Sequence, residues 1–302
     1  MERRKIGSLD VSVVGLGTNN FGMRMDEKAA DAVVRASLDA GINHFDTADM
    51  YGGGKSEEFL GKALGSRRDE AVIATKFGAM AGGKAEVVRK AVDDGLARLG
   101  TDRIDLMYLH RPDAETPIAE TLAALDECVK AGKVVEIACS NFDETMLREA
   151  DAVAAPGAAK FTAVQNHFNL LNQGDRALLP VLGELGVGHV PYFPLASGML
   201  TGKYRRGEAP PDGTRLAGMP DDRRGAMLND DNFAVVERLT AWAADHGHSV
   251  LELAIAWLAA QPNVVSVIAG ATKVDQVTAN AAAGAWAITP AEVDEVGGLA
   301  AT

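Results

Sequence analysis

The sequence predicts an α/β chain wound into a (β/α)8 barrel, and three observations lead there. Short apolar runs rich in β-branched residues recur along its 302 residues. The first seven runs begin roughly 26–32 residues apart, the spacing of a strand, a helix and two short loops. The intervals carry apolar residues at i, i+3, i+4 and i+7, the pattern of a helix with one buried face. Gly41, Gly100, Gly132 and Gly186 each follow a helical segment and precede a strand, as suits the left-handed residue that ends a helix. Such short exits favour a parallel sheet covered by helices.

In order, residues 3–13 (RRKIGSLDVSV) predict a β-hairpin plugging the bottom of the barrel. Strands are expected at Val13–Leu16, Ile42–Phe45, Val72–Thr75, Ile104–Leu109, Val134–Cys139, Phe161–Gln165, Gly188–Tyr192 and Val264–Ile268. Helices are expected over Asp26–Ala40, Ala85–Leu99 and Thr116–Ala131. After the first strand, Gly15-Leu16-Gly17-Thr18-Asn19-Asn20-Phe21-Gly22 superficially resembles the phosphate loop of an open, doubly wound sheet. Its last glycine is displaced, however, and no helix begins there. Glu57 and Glu58 favour a helix start after Ser56. Residues 203–230 are rich in Gly, Pro, Asp and Arg and lack periodicity, so they read as a functional lid or a disordered loop. Two helices precede the last strand, the second opened by a capping box from Ser249 to Glu252. Thr289-Pro290-Ala291-Glu292 opens a terminal helix. The expectation is one barrel domain over residues 1–302, with an N-terminal β-hairpin, a long loop and extra C-terminal helices.

Composition narrows the function. Apolar residues make up 47% and charged residues 24%, as in soluble globular proteins and unlike disordered ones. Thirty basic against 42 acidic residues give a net charge of −12, which argues against nucleic acid or anionic membrane as partner. No apolar stretch approaches the ~18 residues of a membrane span. The start, MERRKIGSLD, has no apolar signal region, and Cys128 and Cys139 show no metal or disulfide pattern. Together these predict a cytoplasmic protein.

The strand ends carry the chemistry. Asp46, Lys76, His110, Ser140 with Asn141, Gln165 with Asn166, and Tyr192 each close or follow an apolar run. In a barrel these C-terminal ends converge on the face where barrel enzymes place their active sites. The set mixes carboxylate, ammonium and imidazole without the cluster that zinc, iron or magnesium would need. It reads as an enzyme site without a metal.

Several blocks together resemble the aldo-keto reductase family. They are Gly41-Ile42-Asn43-His44-Phe45-Asp46 through Asp49-Met50-Tyr51-Gly52, Ser56-Glu57-Glu58-Phe59-Leu60-Gly61, Thr75-Lys76-Phe77-Gly78 and Tyr108-Leu109-His110-Arg111-Pro112-Asp113. Further on come Gly132-Lys133-Val134 through Cys139-Ser140-Asn141-Phe142, Val164-Gln165-Asn166, Pro194-Leu195 through Lys203, and Ile268-Ala269-Gly270-Ala271 with Gln276 and Asn280. The resemblance implies the same barrel, with a nicotinamide cofactor across its mouth. It also implies reduction of an aldehyde or ketone, a small-molecule carbonyl substrate. NADP(H) is the preferred cofactor and NAD(H) the alternative. An NAD(P)-dependent sugar dehydrogenase, or a nicotinamide-binding regulatory subunit with little turnover, are the other readings.

Carried over, the catalytic residues are Asp46, Tyr51, Lys76 and His110. Tyr51 gives a proton to the developing alkoxide. Lys76 lowers the proton affinity of Tyr51, Asp46 charge-pairs Lys76, and His110 orients the carbonyl. His44 and His167 are read as structural. Tyr192 resembles the aromatic that stacks on nicotinamide, and Ser140, Asn141 and Gln165 the groups that hold its carboxamide. Gly17 and Thr18 line the same region. Leu195, Ser197, Gly198 and Leu200 follow the pyrophosphate. Gly270, Thr272, Lys273, Gln276 and Asn280 hold the adenine ribose and its phosphate, with Lys273 nearest a 2′-phosphate. Lys203, Arg205 or Arg206 is expected near phosphate, under a loop that orders when cofactor binds. Phe21, Met23, Phe77, Arg111, Phe142 and Phe193 are candidates for the substrate pocket.

Overall fold

The computed structural model describes residues 1–301. The chain opens with an antiparallel hairpin, β1 (Arg3–Ile6) and β2 (Leu9–Ser12), turned by Gly7 at φ 54°. The Glu136 carboxylate fixes this turn by accepting from the amide and hydroxyl of Ser8. Ile6 and Val11 point up into the barrel and pack with Val72, Ala74, Leu106, Tyr108, Ala138, Ala163, Val190 and Ile268. The hairpin therefore plugs the bottom, and the interior is a packed core rather than a pore.

Eight parallel strands follow: β3 (Val14–Gly17), β4 (His44–Asp46), β5 (Val72–Phe77), β6 (Ile104–Leu109), β7 (Val134–Ser140), β8 (Phe161–Gln165), β9 (Gly188–His189) and β10 (Val267–Gly270). They pair in chain order, and β10 pairs with β3. The ring closes through parallel bridges from His189 to Val264 and from Tyr192 to Ile268. The seventh strand is shorter than its apolar run because Pro191 has no N–H to donate, so the ladder breaks into single bridges. Several other strands extend one or two residues beyond their apolar runs, into Asp46, Lys76 and Ser140. These polar ends stay in the ladder because their side chains are bonded at the barrel mouth.

The helices cover the sheet. They are α1 (Glu27–Asp39), α2 (Lys55–Leu64), α3 (Ala85–Leu99), α4 (Ile118–Lys130), α5 (Glu144–Val153) and α6 (Leu179–Leu185). Asp26 caps α1 by accepting from the Ala29 amide. Gly41, Gly100, Gly132 and Gly186 all take positive φ at helix exits, as expected. The start of α2 departs from expectation. It opens at Lys55 after left-handed Gly54, and Ser56 lies inside it, bonded to Thr18 and Thr47. Glu57 is buried and bonded to Thr75 and Arg98, so it serves tertiary structure more than the helix dipole.

The long segment is not wholly irregular. It contains α7 (Asp221–Met227) and is followed by α8 (Asp230–Asp245) and α9 (Val250–Ala259). After β10 come α10 (Val274–Ala283) and α11 (Pro290–Ala300). Both anticipated capping boxes form, at Ser249–Glu252 and Thr289–Glu292. Cys128 and Cys139 are buried free thiols. Among the described residues, no helix is long and apolar enough to cross a membrane.

Candidate active site

Asp46, Lys76 and His110 stand at or just beyond the ends of β4, β5 and β6, so the sheet gathers them at one mouth. Lys76 Nζ donates to Asp46 Oδ1 at 2.7 Å and to the Thr47 carbonyl at 2.8 Å. The ammonium is 1% exposed. Burial alone would push Lys76 down, but the charges of Asp46 and Tyr51 outweigh it and hold it above its ordinary value. Asp46 Oδ2 is held in turn by Gln165 Nε2 at 2.7 Å.

Tyr51 reaches this pair from the loop after β4. It opens a tight turn in which Gly52 and Gly53 take φ 59° and 67°. A side chain on Gly52 would run into the Phe21 carbonyl at 2.6 Å, so this close loop packing requires glycine. Lys76 Nζ lies 5.2 Å from the Tyr51 ring centroid, and the His110 ring meets Tyr51 edge-on at 6.0 Å. Lys76 does not win the contest over the phenol. Burial raises Tyr51 above its ordinary value, and Lys76 only opposes that rise, because the ring is enclosed as well as charge-paired.

His110 has a lowered pKa of about 4, from burial first and then from the Lys76 charge. It is therefore neutral near pH 7. Its buried Nδ1 has no hydrogen-bond partner. A bare lone pair there is less costly than an orphaned N–H, which assigns the proton to Nε2.

These residues form the floor of an open cleft of about 1310 Å³. Its wall contains Gly17, Thr18, Asp46, Tyr51, His110, Ser140, Asn141, Gln165, Tyr192, Leu195, Ser197, Gly198, Lys203, Gly270, Thr272, Lys273, Gln276 and Asn280. Lys76 lies just behind it. Leu200 is different: it is fully buried and does not reach the wall. Its alternation with Gly198 along a turn places it against the core instead. Of the pocket candidates, only Arg111 and Phe193 reach the cleft. Phe21, Phe77 and Phe142 are core residues, and Met23 faces outward at 71% exposure.

Several wall side chains are fixed by neighbours. Tyr192 donates to Asn141 Oδ1 at 2.9 Å and stacks on His167 at 5.4 Å, nearly parallel. His167 is thus structural, as is His44, which is fully buried against Ser266. Ser140 donates to the Gln165 carbonyl, and Asn141 Nδ2 to that of His110. Four of the five non-glycine residues with positive φ, Asn141, Phe193, Ala196 and Ser197, line or adjoin this cleft. Such strain gathers where a ligand must meet the backbone.

Sequence reasoning missed two cations. Arg206 is held away by Asp230 and Glu237, and Arg205 does not reach the wall. Arg24 and Arg215 stand there with Lys203. Arg24 donates to the Gly213 carbonyl at 2.7 Å, and Arg215 lies 5.0 Å over the Phe193 ring. Among the described residues, none of the three has a carboxylate within ion-pair distance. The only available signal was an arginine inside an aperiodic loop, which says nothing about where it folds. Among the described residues, no group of His, Cys, Asp or Glu is placed to hold a metal ion.

Comparison with known proteins follows the same lines. The model of the aldo/keto reductase family matches residues 13–301. The chain is 36% identical over 295 residues to a probable voltage-gated potassium channel subunit beta of Oryza sativa subsp. japonica, covering 93% of this chain and 90% of that one. It is 32% identical over 280 residues to L-glyceraldehyde 3-phosphate reductase of Escherichia coli (strain K12), covering 87% and 80%. Among solved structures, an aldo-keto reductase from Bacillus halodurans in its holo form matches with a TM-score of 0.83. That match is 29% identical and covers 100% of this chain and 97% of that one.

Proposed function

The chain belongs to the aldo/keto reductase family and is an oxidoreductase, and on that premise we propose that it reduces aldehyde or ketone carbonyls to alcohols, with Tyr51 as general acid and NADP(H) as preferred cofactor. The observation that carries this reading is the buried Asp46–Lys76 pair set between Tyr51 and His110 on the cleft floor. When bound, the cofactor supplies the hydride. Tyr51 holds the proton that neutralises the developing alkoxide. Lys76 makes that proton easier to release than burial alone would allow. Neutral His110 orients the carbonyl oxygen through its Nε2 proton and does not itself supply the acid proton.

The cleft suits such a cofactor. Gly270 has no wall atom within 3.7 Å of where a side chain would begin, so an adenosine group can approach its backbone. Lys203, Arg24 and Arg215 offer uncompensated positive charge to a pyrophosphate on an otherwise acidic protein. Lys273, at the start of α10, is the cation assigned to a 2′-phosphate. The Tyr192 ring, which lines the cleft and is braced by His167, suits a flat ring, and Ser140, Asn141 and Gln165 suit an amide beside it.

The test is turnover of NADPH by the purified protein with a panel of aromatic and aliphatic aldehydes. Tyr51→Phe is expected to lower kcat by about 10²–10⁴-fold. Activity retained in that variant overturns the assignment of the acid. The likeness to a probable channel subunit favours a second reading, a nicotinamide-binding regulatory subunit. Tight cofactor binding with negligible turnover across the panel would select it.

A further inference from the structure

The cleft wall carries five cations, Arg24, Arg111, Lys203, Arg215 and Lys273, and two carboxylates, Asp46 and Asp212. Asp46 is spent on Lys76. This local excess of positive charge lies on a chain with 42 acidic and 30 basic residues. The anionic groups of the proposed cofactor account for four of the five: the 2′-phosphate for Lys273, the pyrophosphate for Lys203, Arg24 and Arg215. They leave Arg111 over.

Its place in the ring separates Arg111 from the others. The strands pair in chain order from β3 to β10, and β10 pairs with β3. In a ring of eight, β6 is therefore diametrically opposite β10. Arg111 stands in the loop after β6, and Lys273 across the mouth in the loop after β10. Lys203 and Arg215 come from the long segment after β9, and Arg24 from the loop after β3. Arg111 instead directly follows His110, and both line the cleft. It belongs to the end of the mouth at which the carbonyl is held.

Arg111 is exposed on that wall, and among the described residues it has no carboxylate within ion-pair distance. The acid nearest in sequence, Asp113, is committed elsewhere. Its Oδ2 accepts from the Gly83 amide at 2.8 Å and its Oδ1 from the Glu115 amide at 2.9 Å. The floor beside Arg111 adds no free charge, because Lys76 is paired with Asp46 and His110 is neutral. A guanidinium left open next to the imidazole that orients the carbonyl suits a carboxylate or a phosphate, which its fork of N–H groups grips with two parallel bonds.

We propose that Arg111 selects the substrate: the chain acts on carbonyl compounds that also carry an oxyanion, a carboxylate or a phosphate, and Arg111 holds that group while the carbonyl lies on Tyr51 and His110. This rests on the reading of the cleft floor as a carbonyl-reducing site. Arg111 takes no part in proton transfer. Its loss therefore weakens capture of a charged substrate and spares a neutral one.

The test compares matched aldehydes in the NADPH assay: para-carboxybenzaldehyde with its methyl ester, and glycolaldehyde phosphate with glycolaldehyde. At least one charged aldehyde is expected to exceed its neutral partner in kcat/KM by about tenfold, mainly through KM. Arg111→Gln should abolish that preference and change the neutral partners by less than about twofold. Arg111→Lys should keep part of it, because the charge remains and the fork does not. The pair that responds tells a carboxylate from a phosphate. No preference in the parent, or an equal loss for charged and neutral partners in Arg111→Gln, overturns the proposal. Absence of turnover with every aldehyde would instead overturn the reductase reading, and binding then decides on Arg111. Benzoate and ethyl phosphate are titrated by calorimetry into the NADPH complex. One of them should bind the parent and not Arg111→Gln; equal binding to both proteins, or none to the parent, overturns the proposal.

Discussion

Replacing Asp46 by Asn leaves the Lys76 ammonium, 1% exposed, with only neutral acceptors, the new amide oxygen and the Thr47 carbonyl 2.8 Å away. At the observed 2.7 Å and an effective dielectric constant of roughly 20, the lost Coulomb attraction is about 6 kcal/mol gross. The amide dipole recovers part of this, and deprotonation of Lys76 offers a second escape. The expected net loss of stability at pH 7 is about 3–5 kcal/mol, as for other broken buried pairs. The pH dependence carries the sharper test. In the parent, Lys76 lies above its ordinary value of 10.5, so its contribution is complete below that pH and fades only above it. In Asp46→Asn, burial wins and Lys76 falls below its unfolded value. Folding then releases a proton, and the variant gains stability as pH rises toward 10.5. The gap between the two proteins should therefore narrow from pH 7 to pH 10. Urea unfolding followed by circular dichroism at several pH values measures it. A loss below about 1 kcal/mol, or one independent of pH, would refute the claim that Asp46 keeps Lys76 charged.

Other consequences follow from the same structure. His44 is fully buried with a pKa lowered to about 4 by burial, so it contributes stability above its unfolded value of 6.5 that is lost as pH falls through 4. That amounts to about 3 kcal/mol, and His44→Asn should flatten the acid limb of a stability–pH curve. Ser249→Ala removes one side of the α9 capping box and should lower stability by about 1 kcal/mol in thermal or urea unfolding. Lys273→Ala should raise the KM for NADPH about tenfold and leave that for NADH unchanged; equal effects would exclude a 2′-phosphate contact. Residues 203–230 should gain hydrogen-exchange protection when NADPH binds, through Arg215 and Lys203; equal protection with and without it would count against a closing loop.

Much of the barrel was legible because its cues are local and repeat. The α3 helix was readable to both ends from its periodicity and Gly100, and both capping boxes from four-residue patterns. Strand ends were less so. Pro191 broke a run that composition alone extended to Tyr192, and Asp46 and Lys76 stayed in strands that composition alone ended earlier. At the site, Asp46, Tyr51 and His110 and nearly all of the residues proposed for the cofactor do line one cleft, because they lie in motifs at or near strand ends. Leu200, Phe21, Met23, Phe77 and Phe142 lie off the cleft wall, since neighbourhood in sequence does not say which way a side chain faces.

The sequence by itself determined the order of strands and helices, the glycine exits and the presence of Asp46, Lys76 and His110 at strand ends. Only the tertiary structure decided what those groups do electrically. Burial makes His110 neutral and outweighs Lys76 at Tyr51, and both results depend on enclosure by residues distant in the chain. Folding likewise brought Arg24 and Arg215 to the cleft, left Arg206 to Asp230 and Glu237, and set the Tyr108 ring beside the Lys76 ammonium. Hydrophobic period and caps act over a few residues and can be read along the chain. Desolvation and charge act through space, and their balance exists only once the barrel has closed.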